Sequence, residues 1–447
     1  MRLTRRRLIP LVALLSSVHA LAQAATTPSS GVGAIAGRHA AAAKADSDHE
    51  PPPALVASAV LPAELRSGEH FKVADVVSND GYMNHFAIES DYGRFEVTGL
   101  PLLRIRVREV AAIARLKEVS KSGVFLEAAA KSAVRPVTAA AAVIDDPVGT
   151  VQGVPGGVKR AFGRLKHKAG AAKDAVAGDG DDADDDGDTQ AVESSTGDKA
   201  VAVAKSYLGI TAAHRRWAQK LGIDPYSTNP TLNKELDGVA KVDRAGGLAA
   251  SVAMPSLGSA VGSVTKVSEL VWSKDPLELL EINKKDLAAM AVAPELAERF
   301  LGNRFYTPSK QTAITAALVT LAGTADRQRF LVPAALARSE EEALFYVESA
   351  QLLAGFHARI EPIAALLPGR VLAKAQTRGG GLVTLVAVDH LCWTAELDVL
   401  TGEAGQGQSA PRTLWVGGSL SQRAAKEIGA RGFTVRPGAR ARLGAGF

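Results

Sequence analysis

The chain has 447 residues, 47% of them hydrophobic but only 5% aromatic, which is enough apolar mass for one or two cores built on Leu, Val, Ile and Ala. The formal net charge of +5 is no nucleic-acid footprint, because part of the excess sits at Arg2, Arg5, Arg6 and Arg7 and the rest is unevenly spread. A single cysteine, Cys392, excludes an intramolecular disulfide and a multi-cysteine zinc site.

The four N-terminal arginines precede an apolar run from Leu8 to Leu15, followed by the small pairs Ala20/Ala22 or Ala22/Ala24. This is the pattern of a signal peptide over 1–24, so a periplasmic or secreted location is expected. Thr4-Arg5-Arg6-Arg7-Leu8-Ile9 also resembles a twin-arginine signal, which leaves two export routes open. Residues 25–55 are Ala, Ser, Gly, Pro and charge without period, and read as a disordered tether.

Over 56–176 a β-meander and helices are expected. His70 to Val77 is apolar enough for one strand, Ser78-Asn79-Asp80-Gly81 is turn chemistry, and Tyr82 to Glu89 and Arg94 to Val97 follow as two more strands. Pro101 opens a helix with Leu103, Val107, Val110 and Ala114 on one face. A second helix runs from about Val124 to Val134. From Val158 to Lys168 the chain turns basic and amphipathic, which reads as a solvated helix face or as a helix lying on anionic lipid.

Residues 177–197 are nearly all acidic or small and form the clearest break in composition. They read first as an acidic disordered linker or insertion. They also match a calcium loop, with Asp182, Asp184, Asp186, Asp188, Gln190 and Glu193 as the ligand set and Gly187 at the sharp turn. Alternate carboxylates point inward at that spacing, and the last glutamate closes the shell. Thr189 stands where an apolar residue is usual, and a run of aspartates produces such matches by itself.

Residues 198–447 are expected to form a helical domain with C-terminal strands, joined with 56–176 in one unit or separate from it. Helices are expected over Ala200 to Leu208, Ala212 to Leu221 and Pro230 to Val242, the last capped by Asn229. The uncharged stretch from Ala245 to Thr265 is small and apolar, with Pro255 in its middle. It suits a broken helical pair buried among neighbouring helices, a membrane-touching segment or a loop. Further helices start near Pro276, Pro294, Pro308 and Glu340, with capping boxes at Asp275 and Ser339. Val371 to Gln376 and Leu382 to Val388 flank a glycine hairpin; a helix from Asp389 to Leu400, a strand at Leu414 to Val416, a helix capped by Ser419 and a strand at Gly432 to Val435 complete the chain.

Three stretches are familiar together: SNDGYMNHF (Ser78 to Phe86), PVGTVQGVPGGVKRAF (Pro147 to Phe162) and GIDPYSTNPTLNKELD (Gly222 to Asp237). They resemble a family of exported bacterial proteins with no assigned activity. The resemblance implies that both halves belong to one unit, and it brings no catalytic residues.

The weak catalytic candidates are His357, Asp389, His390 and Ser419. A cleft holding His357, Asp389 and Ser419 within hydrogen-bond reach would favour a hydrolase. On a helix His390 would be poorly placed to activate Cys392, which reads as a buried structural thiol. Gly417-Gly418-Ser419, between a strand and a helix, reads as a cap or an anion contact. His70 and His85 could bind a metal with Glu89 or Asp75 if their strands brought them together. His214 heads a basic cluster with Arg215 and Arg216 that reads as a helix surface.

The expected fold is α+β: a mainly helical body with small antiparallel sheets near the N- and C-terminal ends. The leading functional expectation is an exported envelope protein that binds a protein partner or the membrane surface without catalysis, with no nucleic acid and no cofactor beyond the calcium loop. The alternative is a periplasmic hydrolase or ligand-binding protein with its site near the C-terminal strands.

Overall fold

The structure, a computed structural model, describes residues 48–131, 158–159, 196–246, 266–369, 371–403 and 410–444. The expected signal peptide, most of the expected tether, the basic segment after Lys159, the calcium-loop match at 182–193 and residues 247–265 of the small-residue stretch lie outside them. Contacts divide the chain after Asp48 into an N-terminal unit, of which Asp48 alone is described, and a unit from His49 to Phe447. The fold is α+β, with an antiparallel sheet first, a helical middle and a mixed sheet last. The described residues reach into the segment read as tether, where β1 is Ala54–Val56.

The N-terminal sheet comprises β1, β2 (Ser67–Gly68), β3 (Phe71–Val73), β4 (Val76–Asn79), β5 (Asn84–Ser90) and β6 (Gly93–Thr98). Strand order is β1-β4-β5-β3-β2, and β6 pairs with β5. His70 to Val77, expected as one strand, is broken at Ala74–Asp75, because the Asp75 carbonyl turns out of the ladder to accept from Ala57 N–H. Both pieces still pair with β5, Lys72 opposite Glu89 and Ser78 opposite His85, so the meander is preserved. Alternation along β5 buries Phe86 and Ile88 with Leu103 and Val107 of the following helix.

Helix α1 (Leu100–Lys121) buries Leu103, Val107, Val110 and Ala114, and α2 is Gly123–Lys131. The helical middle contains α3 (Thr196–Ser206), α4 (Ala212–Leu221), α5 (Pro230–Gly246), α6 (Lys266–Ser273), α7 (Pro276–Ala289), α8 (Pro294–Leu301), α9 (Pro308–Thr320) and α10 (Glu340–Arg359). Proline stands in the first turn of α5, α7, α8 and α9, where its missing donor is harmless. Asp275 and Glu278 form the full capping box of α7. Ser339 caps α10, but Glu342 turns its carboxylate to Arg338 N–H. His214 is a correction: it is wholly buried on α4 and bonds Asp237 at 3.0 Å.

A balanced buried network ties α1 to α9 and α10. Glu109 accepts from Arg106, Ser227 and Asn229, and Glu340 accepts from Lys310 at 2.7 Å and Thr228 at 2.8 Å. Two cations face two carboxylates, so the desolvated charges are compensated. Val158 is fully buried in the main core and donates its N–H to Glu341.

The C-terminal sheet has the order β13-β11-β9-β8-β7. Strands β7 (Ile363–Leu367), β8 (Ala373–Thr377) and β9 (Leu382–Val386) form an antiparallel meander. Strands β11 (Arg412–Val416) and β13 (Phe433–Arg436) extend it in parallel, so the sheet is mixed rather than antiparallel throughout. The connections carry α11 (Ala395–Glu403) and α12 (Gln422–Ala430), the crossover helices that parallel strands require, and α13 is Ala439–Leu443.

Candidate functional site

Parallel strands place their carboxyl ends on one edge, and the loops there are the usual place for a site in α/β units. Here that edge gathers three loops. Val388–Leu391 follows β9, Gly417–Leu420 follows β11, and Gly438–Arg440 follows β13. Two short strands, β10 (His390–Leu391) and β12 (Ser419–Leu420), pair in parallel, with His390 opposite Ser419. Gly438 and Arg440 N–H donate to the carbonyls of Gly418 and Gly417. The glycines are needed for this closeness: a Cβ on Gly418 would lie 2.0 Å from the Asp389 carbonyl oxygen.

Asp389 sits beneath the edge, almost wholly buried. Its carboxylate accepts from Asn84 N–H at 3.2 Å and from Leu100 N–H at 3.0 Å, and meets Arg440 at 2.9 Å. Gly99 precedes α1 and has no side chain with which to cap it, so Asp389 caps that helix from a distance of 289 residues in sequence. Arg440 also holds Glu348 through two nitrogens. Burial pushes the Asp389 carboxyl up, against the downward pull of Arg440.

The sequence predicts a helix from Asp389 to Leu400; instead the chain is non-helical as far as Thr394, with a short strand at His390–Leu391, and α11 begins at Ala395. The cause is a main-chain zipper. Asp389 and His390 N–H donate to the Tyr82 carbonyl and Cys392 N–H to the Gly81 carbonyl, so these donors do not run up a helix. Gly81 needs its positive φ of 100° in this turn. Cys392 is buried, its thiol 3.8 Å from Asn79 Oδ1, and burial pushes that thiol up to about 12.

The helix cap after β11 is Ser421, not Ser419: Ser421 Oγ accepts from Ala424 N–H at 2.9 Å. The donors of Gly417, Gly418, Ser419 and Ser421 all go to carbonyls of the β9–β10 segment, which removes them as an anion cradle. Ser419 Oγ lies 2.8 Å from His390 Nδ1 at the surface, and burial lowers the His390 pKa. His357 is elsewhere, at the end of α10, where its Nδ1 accepts from Ile363 N–H at 3.1 Å. The grouping of His357 with Asp389 and Ser419 that would have favoured a hydrolase is therefore not assembled; the pairs that form are His390–Ser419 and Asp389–Arg440.

His70 and His85 also stay apart. His70 bonds Asp91 beside the far end of β5, while His85 bonds Thr98 and faces Asp80. Among the described residues no group of three or more His, Cys, Asp or Glu side chains is placed to hold a metal ion. An open groove of about 440 Å³ lies at the start of α7, lined by Lys274, Asp275, Leu277, Glu278, Glu281 and Ile282, without a histidine.

Sequence reasoning missed Glu50 and Arg440. Glu50, in the expected tether, accepts at Oε2 from Trp393 N–H at 2.7 Å and from Ser421 Oγ at 2.5 Å. No local pattern signals either residue, because every partner is distant in sequence. No family model, curated protein or solved structure matches the chain.

Proposed function

We propose that the protein is an exported envelope protein that works by binding a protein or membrane surface rather than by catalysis. One observation carries this reading: the polar groups at the sheet's carboxyl edge are spent on holding the fold. Asp389 is committed to Arg440, Asn84 and Leu100, and the four backbone donors that could have stabilised an oxyanion are committed to carbonyls. Export rests on the arginine-led apolar run of residues 1–24. Among the described residues no helix is long and apolar enough to cross a membrane.

A hydrolase is the second reading, favoured by the surface contact between Ser419 Oγ and His390 Nδ1. Treatment of the purified chain with a fluorophosphonate separates the two. The binding reading expects no adduct on Ser419, and an adduct that Ser419→Ala abolishes overturns it. Cell fractionation tests the location: release with the periplasm, or from membranes by detergent or salt, is expected, and retention in the cytoplasm would refute export.

A further inference from the structure

The chain from Arg327 to Ala337 makes one continuous helical run. A 3-10 turn at Arg327–Phe330 leads into a helical turn at Leu331–Ala334, and Leu336 and Ala337 N–H close it by donating to the Pro333 and Ala334 carbonyls. Burial sorts the faces of this run. Phe330, Leu331, Ala334, Ala335 and Ala337 enter the main core, whereas Arg329, Val332 and Leu336 stay exposed at the i, i+3, i+7 spacing of one helical face. Val332 and Leu336 are each 53% exposed, which leaves two aliphatic side chains one turn apart in water.

The run is firmly held. The Tyr306 hydroxyl donates to the Ala334 carbonyl at 2.8 Å, and Asn303 Nδ2 donates to the carbonyls of Ala335 at 3.2 Å and Ala337 at 2.9 Å. These bonds satisfy the last carbonyls of the run and bring the loop Asn303-Arg304-Phe305 beside it. Arg304 is exposed and lies over the half-buried Phe305 ring, 5.3 Å from its centroid.

The charge around the two aliphatic side chains is mainly positive. Arg304 and Arg338 are exposed and form no ion pair among the described residues, and Arg329 has Asp326 at 3.0 Å. The glutamates that follow, Glu340, Glu341 and Glu342, are all buried. Helix α8 packs against the run and exposes one charge of each sign, Glu295 and Arg299, while its Glu298 is matched by Lys284 at 3.6 Å.

We propose that this face docks on an anionic phospholipid surface, with Val332 and Leu336 entering the acyl boundary and Arg304, Arg329 and Arg338 meeting lipid phosphates. A protein interface concentrates apolar area at its centre and keeps charge at its rim. Here the two aliphatic side chains share a helical face with Arg329 and are followed at once by Arg338, and long arginine stems reach back to the headgroup level. Anionic lipid supplies both halves of the complement, negative phosphate outside and hydrocarbon beneath. This deepens the binding reading above, on which it rests, by committing to the membrane surface as partner.

The test is co-sedimentation of the purified chain with vesicles, made either of equal parts phosphatidylglycerol and phosphatidylcholine or of phosphatidylcholine alone. Binding to the anionic vesicles is expected, at least about tenfold stronger than to the neutral ones and weakened by added salt. Val332→Asp with Leu336→Asp should weaken it at least about tenfold, and so should Arg329→Glu with Arg338→Glu. Wild-type chain left in the supernatant, equal binding to the two kinds of vesicle, or binding that survives either pair of substitutions overturns the proposal. Circular dichroism checks that each variant is folded. Where a pair does not fold, Val332→Ser with Leu336→Ser, or Arg329→Gln with Arg338→Gln, takes its place. Failure here leaves the non-catalytic reading standing, because that one is decided by labelling at Ser419.

Discussion

Asp389 Oδ1 and Arg440 Nη2 lie 2.9 Å apart, and the same nitrogen is 2.9 Å from Glu348 Oε2. One guanidinium thus joins the loop after β9 to the middle of α10, while the same Asp389 carboxylate caps α1. The three side chains are at least nine-tenths removed from solvent, so none of them is paired through water at low cost.

Arg440→Ala is expected to destabilise the protein by about 3–5 kcal/mol, because it strands two buried carboxylates. Urea unfolding followed by circular dichroism measures this. A loss below about 1 kcal/mol would show that the cluster does not hold the fold together.

Burial pushes the Glu340 carboxyl up, but Lys310 and Arg106 outweigh it and hold it at about 2. A depressed carboxyl contributes stability above its unfolded value and loses it as pH falls toward the folded one. The window is therefore from the ordinary 4.5 down to about 2. Thermal midpoints should fall across that range in the wild type and fall less steeply in Glu340→Gln. Parallel curves for the two proteins would contradict the assignment.

Two glycine substitutions should act with opposite signs. Gly418→Ala drives a Cβ against the Asp389 carbonyl and should cost at least about 1–3 kcal/mol. Gly429→Ala, in α12 with open space around it, should add up to about 1 kcal/mol through helix propensity. Matched denaturation curves decide both. A neutral Gly418→Ala would mean that the loops of β9 and β11 separate easily.

Cys392 should resist modification by a thiol-reactive disulfide reagent at pH 8 in the native protein, since it is buried and its pKa is pushed up to about 12. It should react at once when the chain is unfolded in urea. Rapid native reaction would show that the 389–394 segment opens.

The sequence made much of this architecture legible, and for local reasons. Capping residues and first-turn prolines mark α5, α7, α9 and α10, because a cap and its partner lie within four residues. Alternation marked β5, and the glycine run marked the turn between β8 and β9. The failures lie where a distant segment overrides local preference. Asp389 to Thr394 reads as helix until Gly81 and Tyr82 take its donors, and Ser419 reads as a cap until His390 pairs with it. The parallel addition of β11 and β13 was hidden because short apolar strands do not announce their direction. Of the candidate site, the individual residues were visible, but their grouping was not. His357 belongs to the turn at Ile363, and Glu50 and Arg440 carry no motif.

The zipper between residues 81–82 and 389–392 also sets an order of events during synthesis. The SNDGYMNHF turn leaves the ribosome about 300 residues before the segment that satisfies it, as the separation of 305 between Asn84 and Asp389 shows. At elongation rates of about 5–20 residues per second, that wait lasts about 15–60 s. Through that interval the first sheet lacks its neighbour and α1 lacks its cap. The first sheet and α1 therefore gain their full set of partners only once residues 389–392 have been made, about seven-eighths of the way along the 447-residue chain.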